Sequence, residues 1–209
     1  MPDENVPAWL EWAREIQAIC QTGLTYSRTH YDTINYTRLM RIAASMTQAM
    51  ADQGQKPWDR LFLEQPGYAT VKVDVRGAVA RDDKILLVRE RSDNKWSLPG
   101  GWADVGEAPG EMIVREIREE SGYIAAPVKV VGVFDANRAG RPIEFFHAYK
   151  IIFLCELKGG QPAPSDETSD CGFFAFDDLP ELSPNRTPSA LLMEIKEHLA
   201  DPCRPAAFD

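Results

Sequence analysis

The segment from Gly100 to Gly122 constrains this chain more than any other. Gly100-Gly101-Trp102-Ala103-Asp104-Val105-Gly106-Glu107 is a glycine-rich loop, and Pro109-Gly110 leads it directly into the acidic run Glu111 to Ser121. The pattern predicts a helix over about residues 110–121. Residues i, i+3 and i+4 share one helical face, so Glu116, Glu119 and Glu120 lie within one arc. Arg115 and Arg118 are expected to point away from the centre of that arc.

The flanks of this unit set the fold class. From Thr70 the texture is β-branched alternation, with Val71, Val73 and Val75 on one face. A second strand, Lys84 to Val88, follows the turn Arg81-Asp82-Asp83, which makes a hairpin. Further strands are expected at 128–134, 146–156 and 172–176, and a last helix at about 188–200. Strands on both sides of a central helix imply a mixed α/β sandwich. The stretch from Gly159 to Asp170, rich in Gly, Pro, Ser and Asp, reads as a mobile loop.

The first part of the chain reads differently. Trp9, Trp12, Ala13 and Ile16 form one helical stripe, and Leu39, Ile42, Ala43, Met46 and Met50 another. Gln53-Gly54-Gln55-Lys56-Pro57 ends the second helix. This gives a small helical module over 1–66 and an α/β domain over 67–209.

The remaining composition mainly excludes. A net charge of -9 disfavours nucleic acid, whose affinity comes largely from Lys and Arg releasing counterions. No apolar run reaches the ~18 residues a membrane span needs. Cys20, Cys155, Cys171 and Cys203 have no metal-binding or disulfide spacing, which indicates a reducing, cytoplasmic setting. Neither GxSxG nor GxxxxGK[ST] occurs, so serine-hydrolase and P-loop chemistry are excluded.

Three carboxylates on one helical face repel at neutral pH, and a hard dication among them relieves that repulsion. Magnesium suits such a site because it takes oxygen ligands and keeps places for waters and phosphate oxygens. A solvated charged helix is the competing account of the acidic run alone. The flanking residues decide between them. From Gly101 the chain supplies Glu107 six positions on, then Arg115-Glu116-Ile117, Glu119-Glu120 and Gly122, a coincidence on the order of 10⁻⁷ by chance.

That pattern resembles the Nudix box, with Tyr123 as its one departure, where an aliphatic residue is usual. The resemblance implies a Nudix α/β/α sandwich and hydrolysis of the pyrophosphate bond in a nucleoside diphosphate linked to another moiety. The products are a nucleoside monophosphate and a phosphorylated group. It implies Glu116, Glu119, Glu120 and the Gly101 carbonyl as ligands of Mg²⁺, with Mn²⁺ as a substitute. A Glu107 to Arg115 salt bridge ties loop to helix, and Glu120, in preference to Glu167 on the later polar loop, is expected to take the proton of the attacking water. The helical leader and the stretch Trp96 to Asp104 look like the subgroup acting on ADP-ribose or CDP-choline.

Within that subgroup the markers are mixed. A proline marking ADP-ribose pyrophosphatases is replaced by Asn137-Arg138-Ala139, with Pro142 too late, and a tyrosine marking dinucleoside polyphosphate hydrolases is missing around Gly140 and Arg141. Arg76 and Arg89 are candidates to meet phosphate oxygens or, equally, surface strand arginines paired with acids. Trp102 is the candidate wall for a quaternary ammonium or, equally, a packing residue of the loop. His147 is expected to be a partly buried sheet residue.

Trp9, Trp12, Tyr26, Tyr31 and Tyr36 are expected to be the core of the helical leader. Its remaining apolar stripes are expected to be buried in a homodimer. The competing functions are a pyrophosphohydrolase that removes modified nucleoside triphosphates, and a ligand sensor that keeps the fold without catalysis.

Overall fold

In the computed structural model the described residues are 7–50, 58–104, 106–136, 138, 147–163 and 165–209. The breaker sequence at 53–57, Phe146, Asn137 and the stretch 139–142 lie outside them. The chain divides into two compact units, Met1–Val71 and Lys72–Asp209.

The first unit contains α1 (Ala8–Tyr26), α2 (His30–Met50) and α3 (Trp58–Leu63). Thr29 caps α2, its hydroxyl accepting from the Asp32 N–H at 3.0 Å. The buried faces are Leu10, Ala13, Gln17 and Cys20 of α1, and Met40, Ala43, Ala44 and Thr47 of α2. This corrects the expected stripes. Trp12, Tyr26 and Tyr31 are 57%, 67% and 73% exposed, and Leu39, Ile42 and Met50 are also exposed, so they are not the core of the helical hairpin. The reason is steric: small residues such as Ala13, Ala43 and Ala44 take the positions where the helix backbones approach, and the larger apolar residues are left outside.

The second unit is built on one eight-stranded mixed sheet. Its strands are β1 (Lys72–Arg81), β2 (Lys84–Glu90), β3 (Trp96–Ser97), β4 (Gly100–Trp102), β5 (Tyr123–Asp135), β6 (Ala148–Gly160), β7 (Thr168–Ala175) and β8 (Ala207–Phe208). The order β3-β2-β1-β6-β5-β8 runs across the sheet, with β4 paired to β1 and β7 to β2. Asp82 and Asp83, with φ of 51° and 59°, form the two-residue turn that joins β1 to β2. β1 and β6 are parallel in register from Lys72 with Ala148 to Ala80 with Glu156.

Alternation along β1 and β2 separates two cores. Val75, Val79 and Leu86 face α4 (Pro109–Ser121) through Met112, Ile113 and Ile117, while Ala78, Ile85 and Leu87 face α5 (Ser189–Ala200) through Leu191, Leu192 and Ile195. The expected α/β/α sandwich with a helical leader is therefore the observed architecture. Among the described residues no helix is long and apolar enough to cross a membrane.

The strand bounds differ in informative ways. β5 begins at Tyr123, directly after the helix, and passes Pro127 by a register shift in its pairing with β6. Gly159 and Gly160 end β6, and Thr168 to Asp170 open β7, so the expected loop shrinks to about residues 161–167.

Candidate active site

α4 starts with Pro109 in its first turn and ends at Gly122, a left-handed C-cap (φ 74°) whose N–H bonds the Arg118 carbonyl. Its buried stripe fixes its rotation on the sheet and turns Glu116, Glu119 and Glu120 into a cavity of about 1050 Å³. The opposite wall comes from the glycine loop. Gly100 has φ of 135°, and a Cβ there would stand 2.0 Å from the Val75 carbonyl oxygen, so only glycine lets β4 lie against β1. In that position the Gly100 N–H donates to Glu120 Oε2 at 2.8 Å. A Cβ on Gly101 would stand 3.9 Å from the Glu116 carboxylate, which places the loop backbone beside that group.

Arg115 does not point away from the acidic arc. Its Nε and Nη2 donate to the two carboxylate oxygens of Glu107 at 2.9 and 2.8 Å. Its Nη1 donates to Glu116 Oε1 and Glu119 Oε2, each at 2.9 Å. The long side chain curls back along the helix surface, which a count of helical angles at Cα does not foresee. The hydrogen bonds from Arg115 hold the Glu107 carboxyl below its usual range. Arg118 is exposed.

Glu120 is 5% exposed. Burial pushes its carboxyl up to about 8, against the opposing pull of Arg76 and the Gly100 N–H, and Glu90 and Glu116 add to the rise. Burial also raises Glu116, against the pull of Arg115. A buried acid with too little positive charge beside it, a half-buried partner and a loop backbone together form a hard-oxygen donor set that fits a divalent cation. Among the described residues no three acidic, His or Cys side chains already converge on one point, and Arg115 Nη1 bonds both Glu116 and Glu119.

Arg76 also lines the cavity, but not as a surface residue. It is 6% exposed, donates through Nε to Asp74 Oδ1 at 2.9 Å and through Nη1 to the Leu98 carbonyl at 3.1 Å. Lys150 Nζ reaches Asp74 Oδ2 at 2.5 Å, so Asp74 sits between two buried cations. Burial alone would raise the Asp74 carboxyl, yet Arg76 and Lys150 hold it below its usual range.

Trp102 lines the cavity and is 50% exposed. Arg89 is not among the described residues lining it; its Nε donates to the Asn94 carbonyl at 3.3 Å. His147 is exposed beside Asp135, with Nε2 3.1 Å from Oδ2, rather than partly buried in the sheet.

Glu167 faces the cavity from a tethered loop. The Arg91 N–H donates to the Glu167 carbonyl at 2.9 Å, and Arg91 Nε and Nη2 donate to the Ser165 carbonyl at 3.3 and 3.2 Å. On the other side Thr168 Oγ1 donates to the Glu120 carbonyl at 2.7 Å. The cavity further contains Glu90, Arg91, Asp166 and Arg186, which the sequence reading did not single out. Only Arg91 carried a signal, as the residue two beyond Arg89 at the end of β2.

Comparison with known proteins follows the same two units. Residues 7–62 match a family described as a UDP-X-like, N-terminal oligomerisation domain, and residues 71–193 match the NUDIX domain. The Bacillus subtilis (strain 168) protein YjhB, whose name proposes an ADP-ribose pyrophosphatase, is 43% identical over 205 residues, 96% of this chain and 97% of its own. A crystal structure of a UDP-X diphosphatase is 31% identical, with a TM-score of 0.63 over 96% of this chain and 98% of that one. An ADP-ribose pyrophosphatase from Streptococcus suis is 37% identical, with a TM-score of 0.62 over 67% of this chain and all of that one.

Proposed function

Since the chain belongs to the Nudix family and is a pyrophosphohydrolase of nucleoside diphosphate-linked substrates, we propose that it is metal-dependent and cleaves the diphosphate of an ADP-ribose-type or CDP-choline-type compound. The observation that carries this reading is Glu120: a buried carboxyl pushed up to about 8, bonded to the glycine loop and adjoining Glu116 and Glu119 in the same cavity.

Glu116, Glu119, Glu120 and the Gly101 carbonyl would hold the cation, with magnesium or manganese as the metal. Bound there, it supplies neutralisation of the charge that builds on the diphosphate and acidifies the attacking water. Glu107 orients Arg115, and Arg115 in turn fixes the rotamers of Glu116 and Glu119. Arg76 offers a pre-set guanidinium to the diphosphate oxygens. Both candidate proton acceptors reach the cavity. Because Glu120 is buried and bonded to the Gly100 N–H while Glu167 is exposed on a tethered loop, the water's proton passes to Glu167.

The test is magnesium-dependent hydrolysis of ADP-ribose, CDP-choline and a modified nucleoside triphosphate, with products resolved chromatographically, by the parent, Glu120→Gln and Glu167→Gln. The expected result is a nucleoside monophosphate plus a phosphorylated second product, with kcat reduced at least 100-fold in either variant. Cation-independent turnover by the parent would overturn the reading.

A homodimer accompanies this reading. Trp12, Ile19 and Tyr26 repeat every seven residues along α1 and are all exposed, the spacing of a seam that a second copy can cover. Light scattering after gel filtration is expected to give twice 23.4 kDa; a monomer at micromolar concentration would exclude the dimer.

A further inference from the structure

The turn that carries Glu167 is ordered by two hydroxyl groups whose protons can be counted. Thr168 is wholly buried, and its Oγ1 donates its single proton to the Glu120 carbonyl at 2.7 Å. Ser165 Oγ, 3.1 Å from Thr168 Oγ1, must then be the donor of that pair, and the Ser165 N–H also donates to Thr168 Oγ1 at 3.3 Å. The Ser165 hydroxyl in turn accepts from the N–H groups of Glu167 and Thr168, each at 3.1 Å. The Thr168 hydroxyl therefore ties the turn together, and its removal takes one shared partner from the Glu120 carbonyl, the Ser165 hydroxyl and the Ser165 N–H.

Two features of the fold bring this turn to the site. Glu120 lies in the last turn of α4, where carbonyls have no partner within the helix. The returning chain supplies those partners, Thr168 Oγ1 for Glu120 and the Ala163 N–H, at 2.9 Å, for Ser121. The second feature is a bulge in β7: Arg89 pairs with Asp170 but Glu90 with Thr168, which leaves Ser169 as the extra residue. Cys171 and Phe173 pack toward α4, so unbroken alternation would point Ser169 at α4 and turn Thr168 away. The bulge reverses the two. Arg91 anchors the turn from β2, its N–H bonding the Glu167 carbonyl and its guanidinium the Ser165 carbonyl. Glu167 is thereby held between β2 and α4, in the cavity that it lines together with Glu116.

We propose that Thr168 is a positioning residue for hydrolysis: its hydroxyl locks the turn Ser165 to Thr168 onto the end of α4 and so holds the Glu167 carboxylate in place against the carboxylates of that helix. The assignment rests on Glu167 taking the water's proton, as in the preceding section. A hydroxyl that only capped α4 would act on the protein whatever stood at position 167. One that positions Glu167 acts on turnover, and only while that carboxylate is present.

The test uses Thr168→Val, which keeps the shape and removes the hydroxyl, and Thr168→Ser, which keeps the hydroxyl, each with and without Glu167→Gln. Initial rates with ADP-ribose and magnesium are expected to show kcat at least tenfold lower in Thr168→Val with KM within twofold of the parent, and Thr168→Ser within threefold of the parent in both. In the Glu167→Gln background Thr168→Val should cost nothing further. An undiminished kcat in Thr168→Val, or the same loss in the Glu167→Gln background, overturns the positioning role alone. A parent rate in Glu167→Gln overturns the choice of proton acceptor and the positioning role with it. Amide exchange followed by NMR in chelator tests the lock without turnover: the Glu167 and Thr168 amides should exchange at least tenfold faster in Thr168→Val than in Thr168→Ser. Equal exchange in the two variants overturns the lock whatever the substrate.

Discussion

Glu120 gives a thermodynamic test of the site that needs no substrate. Its carboxyl, ordinarily at 4.5, is pushed up to about 8 in the folded protein, with burial as the largest cause. An acid whose folded pKa is raised keeps its proton in the native state after the unfolded chain has lost it. Between 4.5 and about 8 the native state then binds more protons, so stability falls as pH rises and levels off above about 8. At about 1.4 kcal/mol per unit, the cost at pH 8 is on the order of 4 kcal/mol. With 5% of the residue exposed, solvent screening removes little of it.

Glu120→Gln retains a carbonyl to accept from the Gly100 N–H and removes the charge. Urea unfolding in a chelator from pH 5 to 8.5 should show the variant more stable than the parent by about 4 kcal/mol at pH 8 and by about 1 kcal/mol at pH 5. Other titrating groups, such as His198, which burial holds below its usual range, cancel in the difference between the two proteins. Magnesium should raise the stability of the parent at pH 8 and leave the variant almost unmoved, because the cation supplies the missing counter-charge. A difference that is constant with pH, or a parent more stable than the variant at pH 8 in chelator, would refute the argument.

Asp74→Asn leaves Arg76 and Lys150 buried without their shared carboxylate, and urea unfolding at pH 7 should show a loss of about 3–5 kcal/mol. Adding Lys150→Met to that variant should recover part of the loss, and no recovery would mean that the triad is not one electrostatic unit. Gly100→Ala would put its Cβ 2.0 Å from the Val75 carbonyl oxygen and must move the loop off Glu120; kcat is expected to fall about 100-fold, read by initial rates alongside a far-UV spectrum.

Most of the candidate site's local structure was legible because its information is local. The i, i+3, i+4 carboxylates, the loop glycines and the Asp82-Asp83 turn each act within a few residues, and α4 begins one residue before the expected position. β3 and β4 were not legible: two- and three-residue strands, one of them mostly glycine, show no alternation and exist because β2 and β1 present paired edges to them. The leader was read in the wrong rotational phase for a related reason. Hydrophobic periodicity locates the larger apolar residues, whereas the intramolecular face of α1 and α2 is selected by how closely two backbones can approach.

Arg186 shows what sequence distance conceals. It comes to Glu90 and Asp93 across more than ninety residues, from a loop that carries no motif, and puts a guanidinium beside both acids. Among the described residues four arginines line the cavity, at 76, 91, 115 and 186, against seven carboxylates, at 90, 104, 116, 119, 120, 166 and 167. That leaves three more acids than arginines, or two with Glu120 protonated. An anionic diphosphate is therefore repelled by the site as a whole, whatever individual arginines attract. Three of the four arginines are already bonded to acids, and Arg91 is bonded to a carbonyl, so they shape the cavity more than they charge it. On the proposed metal-dependent reading, the bound cation supplies the positive charge that admits the substrate. On that reading cation binding is a condition of substrate affinity as well as of turnover, and KM, not only kcat, is expected to depend on the divalent ion concentration in initial-rate measurements.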